Sequence, residues 1–353
     1  MKKILILGLA LCAAVGQTFA GNDQRAGQAG ATQLLVNTWG RSSGYNGINI
    51  GSASGIESII TNPAGLAMTR RTELVFAHTR YLVGSDISVN SFGISQALKR
   101  AGVIGMYVTA FDLGTFIRTT EANPEGELGT FRPTFMNLGL TYGKKFTDHI
   151  SVGATIKLVT ESINNANASG IAFDAGVQYR TNLGKDSLHN DKLKIGITLR
   201  NVGSTMRYGG DGLSFRANRD PNFTSLSSRP TAKFEMPSVL AMGLSYDIWM
   251  GENHRITPLA AFISNSFTRD NVGIGLEYGF KKYFAIRYSF LYERDIFSNI
   301  NRRTAWTGHA LGGSFEIPFK VGKDRTSSFG LDYSYRSTNP FNGTHVMGIR
   351  IDL

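Results

Sequence analysis

Cysteine is almost absent from this sequence. Cys12 is the only one, and it lies among the first twenty residues. A chain trimmed after that segment has neither disulfide staples nor thiolate metal sites. Charge is sparse at 18%, against roughly 25% in ordinary soluble domains. Proline is held to 9 residues. Beyond residue 20 no run approaches the roughly 18 apolar residues of a transmembrane helix. That excludes helical spans but not spanning strands, which alternate and leave hydropathy near zero; the mean hydropathy here is −0.11. The six histidines include no HExxH and no pair at metal-ligand spacing, so neither a metal nor a cofactor is expected. No Ser/His/Asp set can be placed by spacing, and an enzyme is not expected. Gly273-x-Gly275 and Gly312-Gly313 lie inside alternating segments with no helix following, which excludes nucleotide loops.

What is abundant is glycine, at 41 residues, and Phe plus Tyr, at 22 and 13. So many glycines exclude a coiled coil, and so many aromatics with so little charge exclude disorder. The chain opens with Met1-Lys2-Lys3, an apolar stretch over residues 4–15, and Thr18-Phe19-Ala20, a small-x-small cleavage site. Residues 1–20 are therefore expected to be a signal peptide. Without Lys2 and Lys3 the 37 basic residues become 35 against 26 acidic, a net charge of +9. For an exported basic protein nucleic acid is not an expected partner; a membrane surface or a protein is.

From residue 72 onward the period is two. Val272, Ile274, Leu276, Tyr278 and Phe280 share one face, while Gly273, Gly275, Glu277 and Gly279 share the other. Ile171 to Tyr179 and Leu193 to Leu199 repeat the pattern. Strict alternation over this length is a half-buried strand. Fourteen such segments are expected: 72–81, 86–97, 101–119, 133–143, 149–162, 169–181, 191–201, 236–248, 254–263, 271–280, 282–294, 307–317, 327–337 and 343–353. Gly114 is expected to kink the long third one. Repeated in an exported chain, the pattern reads as all-β: a transmembrane antiparallel barrel of about 14 strands in the outer membrane of a Gram-negative bacterium, in contact with lipid. The connections agree. Those after odd strands (120–132, 163–168, 202–235, 264–270, 295–306) are long, and those after even strands are mostly short, as expected for outer loops and periplasmic turns. Met347, Ile349, Ile351 and Leu353 put an apolar, lipid-facing end on the last strand. Inward positions carry both signs, among them Lys157, Arg180, Lys194 and Arg287 against Glu161, Asp174, Glu277 and Asp332.

Residues 21–71 lack alternation and are rich in Gly, Ser and Asn. They read as an N-terminal hatch, or plug, folded into the lumen on the anchors Trp39, Tyr45, Ile59, Ile60 and Leu66, with a short helix over 56–67 broken at Asn62-Pro63; a periplasmic N-terminal tail is the competing reading. The barrel then covers 72–353. Within the hatch, Asn62-Pro63-Ala64-Gly65-Leu66-Ala67 resembles the NPAGL element of the FadL-like outer-membrane superfamily. The stretches 26–31 and 52–61 are similar to its PorV/PorQ branch, which is associated with type IX secretion in Bacteroidetes. The resemblance implies a fourteen-strand barrel with an N-terminal hatch. It also implies a non-catalytic subunit of a protein export complex, binding other outer-membrane or periplasmic proteins. The alternative is a FadL-like channel that takes up a hydrophobic small molecule, or an accessory barrel of another assembly machine. The connection 202–235 is the candidate partner-binding loop. It interleaves Tyr208, Phe215 and Phe223 with Arg216, Arg219 and Arg229, the residue types that interface hot spots favour. A lid over the barrel mouth is the competing reading of the same loop.

Overall fold

The computed structural model describes residues 23–126, 128–182, 191–220, 223–320 and 326–353; the signal peptide expected over 1–20 lies outside them. The chain is a closed antiparallel barrel. Its strands are β1 (Thr72–Tyr81), β2 (Ile87–Ala97), β3 (Val103–Asp112), β4 (Thr134–Lys145), β5 (Ile150–Ile163), β6 (Ala166–Thr181) and β7 (Leu193–Gly203). They continue as β8 (Val239–Tyr246 and Ile248–Met250), β9 (His254–Asn265), β10 (Asn271–Phe280), β11 (Phe284–Glu293), β12 (Trp306–Lys320), β13 (Thr326–Thr338) and β14 (Thr344–Asp352). The two halves of β8 are one strand, because both pair with β9 across a break at Asp247. The register runs through it unchanged, from Ser245 opposite Leu259 to Ile248 opposite Ile256, and Asp247 stays in phase on the inner face, its carboxylate on Lys194 at 2.6 Å and on Thr257 at 2.8 Å. Each strand pairs with its sequence neighbours, and β1 closes on β14 with Leu74 opposite Ile351. Closure leaves no edge and satisfies the backbone without water, which a hydrocarbon environment requires.

Alternation translates directly into two faces. Phe173 and Ile197 are 56% and 48% exposed, while their neighbours Ala172 and Thr198 are buried. Phe76, Ile156, Leu276, Leu311 and Met347 continue the same apolar exterior. The turns Lys99–Ala101 and Lys281–Lys282 lie at one end and the long connections 113–133, 204–238 and 294–305 at the other; the connection expected to be long over 163–168 is a two-residue turn at 164–165, because the strands on either side pair up to Ile163 and Ala166. Tyr283, Tyr292 and Tyr333 stand on the outer face near strand ends, half exposed, as interfacial aromatics do.

Two elements differ from the sequence reading. The third strand ends at Asp112, not at 119. The Asp112 carboxylate accepts the Gly114 N–H at 3.0 Å, and Gly114 takes φ +88°, so the chain leaves the wall there rather than kinking within it. Phe116–Ile117 then pairs with Thr130–Phe131 beyond the barrel rim. Likewise the connection 202–235 is not structureless: Ser214–Asp220 pairs with Phe223–Ser228 as a projecting hairpin.

The N-terminal segment runs through the interior. It starts at the long-loop end, where Gly30 N–H donates to the Glu235 carbonyl at 3.0 Å and Arg25 pairs with Glu235 at 2.7 Å. It enters β1 at the opposite end. Its helical turns Ile56–Ile60 and Pro63–Met68 are separated at Asn62, where proline opens the second turn and cannot continue the first.

Candidate functional site

The interior is occupied where the Asn-Pro-Ala-Gly-Leu element meets the wall. The Asn62 side chain accepts from Ala64 N–H at 3.1 Å, capping the following turn. Its amide donates to the Ile50 carbonyl at 3.0 Å and to the Val177 carbonyl of β6 at 3.1 Å. One buried side chain thus ties two parts of the segment to the barrel. The wall makes room with glycine. A Cβ on Gly176 would fall on the Asn62 carboxamide, one on Gly153 on the Pro63 carbonyl, and one on Gly196 on the Ile50 carbonyl. Gly65 has the same need from within, against Ala53 and Ser58. Leu66 packs with Trp39, Ile56, Ile59, Val75 and Tyr107 in a buried apolar cluster, and Ala64 is fully buried. All five residues of the element therefore meet at one place.

Charge pins the segment toward the short-turn end. Arg41 Nε lies 3.3 Å from Glu57 and Nη2 lies 3.6 Å from Glu73 on β1. The Tyr45 hydroxyl donates to Glu277, which also receives Arg287 at 3.2 Å and Arg255. Burial pushes the Tyr45 phenol up, and the Glu277 carboxylate adds to the rise, so the hydroxyl remains a donor across the ordinary pH range. Below these groups a vestibule of about 1230 Å³ opens to the short-turn end.

The long-loop end is different in kind. Met206, Met236, Leu34, Val159, Ala168 and Ala172 form an apolar cluster with Tyr208 and Phe234 over it. The Tyr208 and Phe234 rings lie 5.7 Å apart, and the Tyr208 hydroxyl donates to Glu161 of β5. Burial and that hydrogen bond raise the Tyr208 pKa. Tyr208 therefore faces the lumen. Phe215, Arg216 and Arg229 are exposed on the hairpin region instead. The structure does not gather these four into one patch, and the side chains of Arg219 and Phe223 lie outside the described residues.

Beneath the cluster a cavity of about 20 Å³ is lined by Leu34, Val36, Ile60, Tyr107, Lys157 and Asn201, among others. Beside it the wall carries a defect. Phe173 pairs with Val202 and Ala175 with Leu199, so Asp174 of β6 faces two residues of β7, Arg200 and Asn201. Asn201 sits at φ +60°. Its N–H donates to Asp174 at 2.7 Å, and Lys157 pairs with Asp174 at 2.8 Å and with the Asn201 carboxamide. On the outer side of this bulge runs an apolar groove of about 630 Å³, lined by Ile104, Leu140, Ile156, Phe173, Leu199 and Val202. Asn201 was not singled out from sequence. A signal was present: the outward series Leu193, Ile195, Ile197, Leu199 slips by one to Val202, and a slipped phase marks a bulge.

Among the described residues no three His, Cys, Asp or Glu converge as a metal site. The outward histidines instead pair with neighbouring strands, His254 with Tyr278, His309 with Tyr288 and His345 with Tyr333, each at 2.8 Å.

No known family profile matches the chain, and no curated protein matches it. Solved structures do. The monoaromatic hydrocarbon channel CymD superposes with a TM-score of 0.51 at 13% identity, over 90% of this chain and 97% of that one. The toluene transporter TodX of Pseudomonas putida gives a TM-score of 0.50 at 13% identity, over 90% and 97%. A FadL homologue of Pseudomonas aeruginosa gives 0.47 at 11% identity, over 89% and 96%. With fourteen strands closed in this order and 90% of the chain superposed, the chain shares the closed barrel fold of CymD and TodX.

Proposed function

We propose that this protein is a plugged outer-membrane channel for small hydrophobic molecules, residues 21–71 forming the plug and 72–353 the barrel. The observation that carries the reading is a line of side chains through the upper half, apolar under Tyr208 and Phe234 and joined at the small cavity by Gln33, Thr109 and Asn137. The cluster under Tyr208 and Phe234 leads to the small cavity at Leu34 and Tyr107. The Lys157–Asp174 pair with Asn201 stands between that cavity and the outer groove. A solute entering from the long-loop side would leave sideways into lipid, which suits an apolar molecule and spares it the polar lower vestibule. A cavity of about 20 Å³ holds about one water, so passage requires the Tyr208–Phe234 cover and the Leu34 region of the plug to give way. The substrate class suggested by the neighbours, a monoaromatic hydrocarbon, fits a narrow seam.

The test is accumulation of a radiolabelled monoaromatic hydrocarbon by cells producing the protein. Tyr208→Ala with Phe234→Ala should raise it. Leu34→Arg, which puts a charge in the seam and leaves every wall residue unchanged, should lower it. Accumulation equal to that of cells lacking the protein would overturn the reading.

A second reading rests on a different observation. Leu226, Phe297 and Ile300 are 76%, 75% and 92% exposed at the long-loop end, and such apolar tips mark protein contacts. They suit the export-complex subunit that the PorV/PorQ resemblance implies. Replacing residues 211–228 by a Gly/Ser linker separates the two. Loss of a co-purifying protein with uptake intact supports the subunit; altered uptake with partners intact supports a lid.

A further inference from the structure

We infer that the vestibule at the short-turn end is a docking site for an acidic peptide segment of a partner protein. Its lining carboxylates all lie in ion pairs. Glu57 and Glu73 face Arg41, and Asp247 faces Lys194. Glu277 faces Arg255 and Arg287, while Glu316 and Asp352 face Arg350. Six lining carboxylates thus meet five cations, and further cations line the same space. Arg70, Arg71, Lys145, Arg180, Lys281 and Lys282 line the same space, and among the described residues none of them has a carboxylate within ion-pair distance. Among the described residues, the hydrogen-bond acceptors of the Arg180 guanidinium are neutral, the Gln178 side chain at 3.0 Å and the Ala53 carbonyl at 3.4 Å. The vestibule lining is therefore net positive, with eleven basic against six acidic side chains.

Position and size narrow the occupant. These cations come from the N-terminal segment, from β4 and β6 and from the β10–β11 turn, so they ring a concavity rather than form a flat patch. At about 1230 Å³ the space exceeds the roughly 300–1,000 Å³ that encloses a drug-sized ligand, which suits a length of chain. Low-dielectric walls around charge of one sign focus the field and draw in the opposite sign. Asp148 and Glu252 lie in turns at this end but do not line the vestibule. Its floor includes Arg41, Tyr45 and Asn49 of the N-terminal segment. A peptide seated there would rest on that segment. The inference goes beyond the channel reading and does not depend on transport.

The experiment uses the full-length protein in detergent micelles and a labelled decaglutamate peptide, with decaglutamine as the neutral control. Fluorescence anisotropy should show decaglutamate binding at least about tenfold tighter, with the advantage shrinking at high salt. Converting Arg70, Arg71, Lys281 and Lys282 to Gln should weaken it about tenfold, while Arg216→Gln with Arg229→Gln at the other end should leave it unchanged. Barrel integrity is read from unboiled gel mobility. If the quadruple variant fails to fold, Lys281→Gln with Lys282→Gln on the exposed turn should still weaken binding about threefold. Equal binding of the two peptides overturns the inference, as does an equal effect from the long-loop variant. Displacement by inorganic phosphate at matched charge would show a small-anion site and overturn it. So would full displacement by phosphatidylglycerol vesicles, which would make the rim a lipid contact.

Discussion

Asn62 does the work of several residues. Its carboxamide caps a turn, holds the Ile50 carbonyl and reaches the Val177 carbonyl of the wall, all while fully buried. Asn62→Ala leaves an N–H and two carbonyls without this partner. The Ile50 carbonyl keeps the Gln178 amide at 3.1 Å, but a buried polar group left unpaired costs about 1–3 kcal/mol, so the variant should unfold at clearly lower denaturant, and small-solute leakage should rise as the plug loosens. Asn62→Asp should be at least as damaging, because a carboxylate cannot donate to those carbonyls. Gly176→Leu tests the same contact from the other side, since the wall then has no room for Asn62. Wild-type leakage in both Asn62→Ala and Gly176→Leu would remove the plug from the proposal.

At the scale of elements, the β6–β7 seam is the weak point of the wall. A bulge interrupts its ladder, and side chains take over the lost backbone pairing. Asp174→Ala strands the buried Lys157 ammonium. Breaking one partner of a buried pair costs about 3–5 kcal/mol; urea unfolding of the detergent-solubilised protein should show a loss of that order. Lys157→Met with Asp174→Leu removes both charges, so it should recover most of that stability. On the proposed route it should also raise hydrocarbon accumulation, because the polar barrier between cavity and groove is gone. Stability recovered without a change in accumulation would place the exit elsewhere.

For the whole molecule, closure is the governing fact. The β1–β14 pairing turns a sheet into a ring with no free edge, so opening it exposes two rows of backbone groups at once. The protein in detergent should therefore run differently on a gel before and after boiling, with circular dichroism dominated by strand. Leu353 continues that closing strand: its N–H donates to the Thr72 carbonyl at 2.9 Å, and its side chain is half exposed. A charge near the membrane interface costs only about 0–1 kcal/mol directly, so Leu353→Asp should leave the purified barrel stable. Its membrane level should fall if the apolar terminus serves assembly. Unchanged levels would take that role from the C-terminus.

The barrel was legible because side-chain period and strand geometry are the same fact. Leu193, Ile195 and Ile197 alternate with Lys194 and Gly196 in the sequence, and the wall repeats that order as outside and inside. The five residues Asn62 to Leu66 were also legible as a unit, since proline and glycine restrict the backbone locally. What sequence could not supply was which wall residues the segment would meet. Gly153, Gly176 and Gly196 are far apart in the chain and become one surface only when β5, β6 and β7 lie side by side. The loop divides for the same reason. Tyr208 and Phe215 look alike in sequence, yet one reaches Glu161 inside the mouth and the other stands on the projecting hairpin. The surplus of basic residues could be counted from composition. Which of them remain unpaired around the vestibule was decided by the lumen, where Arg41, Arg255, Arg287 and Arg350 claim the carboxylates first.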